Sequence, residues 1–238
     1  TYDPEELVAY ELGYKTQWLD NSLQLNGSFY FYDYDNIHTV ATEVNSFFGT
    51  STSVLPAPGA EIKGIEAEVT WLATDRLTLG GNFSYTPNEY SEDLEILDPA
   101  GFDRPASLFG AATSVKNING NQLLAVPESK FNGWMTHVTP LDSGANLTFS
   151  GSYSWIDKVY YSPFENEDEM AEDYGRLDLR ASWTSADGRM IVSGFVNNVL
   201  DDIGILQVLR HGEEEHFRQS SGTTLPRLMG IEFTVSMN

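Results

Sequence analysis

One feature constrains this chain more than any other: an alternation of period two that recurs in segment after segment. In LQLNGSFYFYDYDN, residues 23–36, Leu23, Leu25, Gly27, Phe29 and Phe31 take one parity; Gln24, Asn26, Ser28, Tyr30 and Tyr32 take the other. Successive side chains of a strand point to opposite faces, so this spacing predicts a strand. The same division sets Val8, Tyr10, Leu12, Tyr14 and Trp18 against Glu11, Lys15 and Gln17. Ile65, Ala67, Val69 and Trp71 oppose Gly64, Glu66, Glu68 and Thr70. Leu77, Leu79, Phe83 and Tyr85 form another apolar row, as do Leu147, Phe149, Tyr153 and Trp155. Leu177, Leu179, Ala181 and Trp183 oppose Arg176, Asp178, Arg180 and Ser182. Met229, Ile231, Phe233, Val235 and Met237 oppose Gly230, Glu232, Thr234 and Ser236. Segments 128–140 and 189–200 are strand-like without a clear inward face. Nine strands and no helix are expected.

Composition narrows the function classes. The 238 residues hold 13 Lys plus Arg against 35 Asp plus Glu, a net charge of −22. So acidic a chain lacks the basic footprint of a nucleic-acid binder. There is no cysteine, so disulfides contribute nothing. No apolar run approaches the roughly 20 residues of a membrane helix. No basic-then-apolar leader opens the chain, which is expected to be a mature or cut fragment.

The connections sort by length. LDNS, ATDR, LDSGA and ADGR are short turns rich in Asp, Asn and Gly, as tight hairpins require. Between them lie long links, roughly 44–58, 91–126, 161–173 and 201–224. Short turns at one end and long loops at the other are the pattern of an outer-membrane barrel. A soluble sandwich has no reason to sort its loops this way. The aromatics agree: Trp18, Trp71 and Trp183 stand beside short turns, and Tyr10, Phe31 and Tyr85 toward the long loops. Amphipathic rings gather at those two depths because they suit the headgroup boundary. The apolar parity is therefore expected to face lipid and the polar parity a wet lumen.

Four stretches, in order, resemble the barrel of TonB-dependent receptors. PEELVAYELGYKTQWLDNSLQLNGSFYFYDYDNI resembles its PE…YE.G.K hairpin with an aromatic strand, and PGAEIKGIEAEVTWLATDRLTLGGNFSYTPNEY the next hairpin. GRLDLRASWTSADGRMIVSGFVNNVLDD resembles the closing region with its NNLxD-like motif, here Asn197, Asn198, Val199, Leu200 and Asp201. LPRLMGIEFTVSMN resembles the final strand. The resemblance implies an all-β, antiparallel transmembrane β-barrel, with residues 1–238 forming about nine C-terminal strands of about 22. A plug domain and the first strands would precede Thr1, and a terminal Phe would follow Asn238. It also implies the outer membrane of a Gram-negative bacterium and active uptake through TonB, with a ferric siderophore or other iron complex as solute. Cobalamin, an oligosaccharide, a passive porin and a soluble sugar-binding β-protein are the alternatives. Partners would be outer-membrane lipid and lipopolysaccharide, the chain's own plug and remaining strands, TonB through the plug, and a small-molecule ligand. No catalysis, cofactor or metal is expected.

Site residues follow from position. In such receptors the extracellular loops recognise solute, which makes Phe47, Phe48, Phe102, Tyr160, Tyr161 and Phe164 the aromatic candidates and Arg104, Arg210 and Arg218 the cationic ones. Arginines and aromatics suit an anionic, aromatic chelate, although the acidic loops disfavour a strongly anionic solute at long range. Glu11, Lys15, Glu66, Glu68, Arg176, Asp178, Arg180 and Glu232 fall on the lumen parity, facing the plug or the solute path. Glu66 and Glu68 could form a glycosidase pair, but a glycosidase needs a cleft around them, and solvated lumen carboxylates are the plainer reading. The HGEEEH stretch at 211–216 matches no defined metal spacing. FENEDEMAED at 164–173 lacks the sixth-position Gly and ligand order of a calcium loop. Asn198 and Asp201 are expected to fix a strand end.

Overall fold

In the computed structural model, residues 4–45, 49–98, 115–210 and 219–237 are described. The strands are β1 (Glu6–Trp18), β2 (Leu23–Asn45), β3 (Gly49–Thr74), β4 (Leu77–Tyr85), β5 (Asn88–Tyr90), β6 (Glu95–Leu97), β7 (Val115–Asn117) and β8 (Ser129–Pro140). They continue with β9 (Asn146–Ile156), β10 (Val159–Tyr160), β11 (Met170–Ala171), β12 (Tyr174–Thr184), β13 (Met190–Asn197), β14 (Ile205–Arg210), β15 (Gln219–Thr223) and β16 (Leu228–Val235). Among the described residues the only helical piece is a 3-10 turn at Glu167–Glu169.

The long strands form one antiparallel meander, β1-β2-β3-β4-β8-β9-β12-β13-β16. These are the nine expected strands. Each pairs with its neighbour in the chain, so no crossover is needed and short turns suffice at one end. In the first turn Leu19, Asp20 and Asn21 have positive φ of 53°, 54° and 68°, a conformation Asn and Asp tolerate better than most residues.

Register decides the faces. Opposite partners share a face. Trp18, Leu23, Trp71, Leu79 and Met135 thus form one row. Tyr10, Phe31 and Lys63 form a second row nearer the long loops, with the Tyr10 and Phe31 rings stacked at 6.5 Å. Between these levels the apolar face carries no Asp, Glu, Lys or Arg on any of the nine strands. The two rows are eight residues apart along β2. At roughly 3.3 Å per residue and a tilt of about 40° the belt is about 20 Å tall, near the ~25 Å of a membrane barrel. Between the two rows, every charged side chain of the nine strands lies on the opposite face; Asp33, Glu61 and Lys63 of the apolar parity stand at or beyond the upper row. Register also assigns the two undecided strands. Phe131, Met135 and His137 of β8 and Val192 and Val196 of β13 join the apolar face. Lys130, Trp134, Ser193 and Phe195 point the other way.

The wall has no conventional core: Phe29, Phe149 and Leu179, on interior strands, are 50%, 48% and 46% exposed. The buried apolar cluster lies beyond the belt. Ala57, Ala60, Tyr90, Ile96, Ile118 and Leu123 pack together, flanked by Tyr34, Ile62 and Phe164.

Two expectations about the loops are corrected. The link 44–58 is mostly strand: β2 and β3 stay paired from Ile37–Ala57 to Asn45–Gly49. Continued pairing satisfies backbone groups that a free loop of Thr, Ser and Val would leave to water. The links 91–126 and 201–224 contain the short ribbons β6–β7 and β14–β15, and β11 within 161–173 pairs back onto β10 just before that link.

Candidate functional site

Two groups of side chains hold the functional chemistry: the polar face of the wall and the cluster of long loops above it.

On the polar face, one group gathers on β1 to β4. Glu11, Lys15, Asn26, Glu66, Glu68 and Asn82 line a cavity of about 740 Å³. Glu68 accepts a hydrogen bond from Asn26 Nδ2 at 3.1 Å, and the Asn26 side-chain oxygen is buried without a partner. Of the residues expected in the lumen, Glu11, Lys15, Glu66 and Glu68 are therefore neighbours. The remaining four sit farther along the wall and are already paired. Arg176 Nε donates to both Asp178 carboxylate oxygens, at 2.9 and 3.0 Å. Arg180 reaches across β13 to Glu232. Such pairing satisfies the guanidinium groups within the wall, a role the sequence left open. Glu66 and Glu68 stand on one face of β3 among the small polar groups Ser28, Asn26, Asn82 and Ser84.

The loop cluster is stitched together by polar contacts. Lys116 Nζ lies 2.6 Å from Asp98 Oδ2, donates to Asn166 Oδ1 at 3.0 Å, and sits 5.9 Å over the Phe164 ring. Asp98 is 1% exposed, so its carboxylate is desolvated, while Lys116 reaches it from a side chain that is 42% exposed. Asn166 Nδ2 donates to Glu169 at 2.9 Å; Asn121 Nδ2 donates to the Pro163 carbonyl at 2.8 Å. Tyr161 Oη donates to the Ile205 carbonyl at 3.0 Å, tying in the β14–β15 ribbon. Tyr160 accepts from Lys158 Nζ at 3.1 Å, and that contact raises the lysine pKa above its ordinary value.

Of the loop candidates, Tyr161 and Phe164 are engaged in holding the loops, while the Tyr160 hydroxyl meets Lys158, two residues before it. Arg210 ends β14, paired through its backbone with Gln219. Phe47, Phe48, Phe102, Arg104, Arg218 and the 211–216 stretch lie outside the described residues. In FENEDEMAED, Asn166 and Glu169 serve the loop network. Among the described residues no three or more His, Asp or Glu side chains converge as a metal site. The Lys116–Asp98–Asn166 network was not foreseen. Its only trace in the sequence is a lone lysine in an acidic, polar loop.

Asn198 and Asp201 do fix a strand end. Asn198 is 2% exposed. Its Nδ2 donates to the Asp202 carbonyl at 2.8 Å and the Leu225 carbonyl at 3.2 Å, and its Oδ1 accepts from Asp202 N at 3.2 Å. Asp178 accepts from Asn198 N at 2.7 Å, and Asp201 from Arg227 N at 2.8 Å. One short motif joins the loop-side ends of β12, β13 and β16.

Comparison with known proteins completes the picture. Residues 1–199 match the family described as TonB dependent receptor-like, beta-barrel. A probable TonB-dependent siderophore receptor, PiuA of Acinetobacter baumannii, is 26% identical over 159 residues, covering 66% of this chain and 18% of that receptor. The crystal structure of the ferric yersiniabactin uptake receptor FyuA from Yersinia pestis superposes with a TM-score of 0.72 at 16% identity, covering 97% of this chain and 30% of the other. That of the siderophore receptor PiuA from Acinetobacter baumannii gives 0.70 at 18% identity, covering 98% and 28%. The chain spans less than a third of each relative's length, and at these identities the structural likeness speaks for the fold.

Proposed function

The chain belongs to the TonB dependent receptor-like β-barrel family, and from that premise we propose that it is the C-terminal part of an outer-membrane uptake receptor. The observation that carries this reading is the charge-free belt on one face set against the charged opposite face. That division suits a wall between acyl chains and a wet interior. β1 and β16 each have one neighbour among the described residues. Open edges in hydrocarbon leave backbone groups unpaired at several kcal/mol each, so about 13 further strands close the barrel between them.

Within it, the polar face receives a plug domain. Glu11, Glu66 and Glu68 offer carboxylates to its cationic groups; Arg176, Arg180 and Glu232 offer pairs that exchange partners as it docks. TonB acts through that plug. The solute is a ferric siderophore, held by the loop cluster around Tyr161 and Phe164, where Lys116 sits over the Phe164 ring. Two features support this solute class: the loops carry aromatics beside cations, and relatives of this barrel are by name siderophore receptors or a ferric yersiniabactin uptake receptor.

The test is uptake in a strain that depends on the full-length receptor. Iron-limited growth on a supplied ferric siderophore is expected to vanish when TonB is deleted. Growth that survives the deletion, with small solutes leaking through the purified barrel, would identify a passive porin instead.

A further inference from the structure

Just above the belt the wall has a notch. β4 ends at Tyr85 while β2 and β3 run on, and the chain turns so that Asn88–Tyr90 pairs with Ala60–Ile62. A cavity of about 330 Å³ occupies the notch. It opens on the belt side of the wall: Glu61 and Lys63 share the parity of Phe31, and Lys63 Nζ stands 5.8 Å from the Phe31 ring. Lys158 and Tyr160 face them from the exit of β9, and Gln122, Glu128 and Glu165 complete the lining.

The pocket's own bonds leave acceptors unused. Lys63 pairs with Glu61 at 2.7 Å, Glu165 accepts from Gln122 N at 2.8 Å, and Lys158 donates to Tyr160. The carboxylates of Glu89 and Glu128 have no hydrogen-bond or ion-pair partner among the described residues. Gln122 is nine-tenths buried in the lining, and its side-chain oxygen has no partner either. Unpaired carboxylates and an unmet amide oxygen call for a ligand rich in donors and repel a bare anion. The lysines add donors, and Tyr160 and Pro87 add flat apolar surface. The volume lies at the lower end for ligand pockets, enough for about one sugar ring.

We propose that this pocket binds a hydroxyl- or amine-bearing sugar, presented by the headgroup of the outer-leaflet glycolipid that surrounds the belt. The sugar chemistry rests on the pocket alone; the glycolipid source rests on the membrane orientation proposed above. Carboxylates would take paired hydroxyls, Lys158 would donate to ring or hydroxyl oxygens, and the ring would lie against Tyr160.

The test titrates the full-length receptor in detergent with three probes: rough lipopolysaccharide, the core oligosaccharide freed from its lipid, and phosphatidylglycerol. Lipopolysaccharide is expected to bind tightest, the freed oligosaccharide more weakly, and phosphatidylglycerol not measurably. Glu128→Gln and Tyr160→Leu, each checked for β-structure by circular dichroism, should weaken both sugar probes at least tenfold. Oligosaccharide binding as tight as intact lipopolysaccharide supports the pocket and makes a free saccharide its ligand. Equal binding of phosphatidylglycerol, no binding of either sugar probe, or folded variants that bind like the wild type would each overturn the proposal. Loss of TonB-dependent uptake leaves this titration unchanged, so the two readings fail separately.

Discussion

Tyr14 covers Gly27, its direct partner across β1 and β2: the ring carbon Cε1 and the hydroxyl each stand 2.6 Å from where a Gly27 Cβ would be. The ring takes the place of the side chain glycine lacks, filling the apolar face without a clash. Tyr30 over Gly64, Trp134 over Gly80 and Phe195 over Gly230 repeat the device on the polar face. Glycines without such a lid should respond differently. At Gly81 a Cβ meets the backbone oxygen of Asn132 at 2.8 Å, whereas at Gly194 it meets nothing within 4 Å. Gly81→Ala is expected to cost about 1–3 kcal/mol through displaced backbone. Gly194→Ala should be neutral or stabilise by about 0.4–1 kcal/mol. Denaturant unfolding of the full-length receptor from lipid vesicles measures both; equal losses would show that cavity geometry does not set the cost.

Neighbours on opposite faces give a sharper contrast. Val69 lies on the apolar face opposite Leu25 and Gly81, while Thr70 faces the polar side opposite Gln24 and Gly80. Val69→Arg is expected to cost about 2–4 kcal/mol and Thr70→Arg far less. Phe31→Arg, at the belt's rim beside Lys63, should cost about 0–1 kcal/mol. Folding yield into vesicles ranks the three, and insertion blocked by Thr70→Arg but not by Val69→Arg would reverse the faces.

Asn198→Ala would leave Asp202 N and two carbonyls unpaired in a buried corner. A loss of about 1–3 kcal/mol is expected. Asn197→Ala, on the neighbouring residue, should stay within about 0.5 kcal/mol. Amide exchange in 198–204 and 225–228 should rise together in the Asn198 variant. Unchanged exchange there would mean that the three strand ends are held independently.

Asp93 supplies a pH-dependent contact. Its carboxylate accepts from Asn117 and Asn119 Nδ2, both at 2.8 Å, and these bonds lower its pKa below the usual aspartate value. A lowered folded pKa means the contribution is complete above the unfolded pKa of about 3.9. It is lost as pH falls through the folded value. Amide protection at 115–119 should therefore drop only in acid below the ordinary aspartate range. Asp93→Ala should remove that step, and an unaltered step would assign it to another group.

The sequence made the wall legible because its faces repeat every second residue and water or lipid must meet each one. Val8 to Trp18 and Met229 to Val235 kept their parity throughout. Strands β8 and β13 were harder because Trp134 and Phe195 put large apolar rings on the polar face. Their reason for being there, the bare glycines Gly80 and Gly230, lies on neighbouring strands. The β2–β3 ribbon beyond Asp35 was hidden for a related cause: Thr, Ser and Val suit a strand and an exposed link alike, and pairing decides. The loop network was not legible. Lys116, Asp98 and Asn166 lie far apart in sequence and meet only once the loops fold, and no periodicity announces such a meeting.

The meander has an evolutionary consequence. Each long loop leaves and re-enters the wall on adjacent strands, so the pairing below does not register how long the loop is or what it contains. Insertions, deletions and wholesale exchange in the loops can accumulate while the wall is inherited unchanged. The same wall can thus carry new loops without having to relearn how to fold.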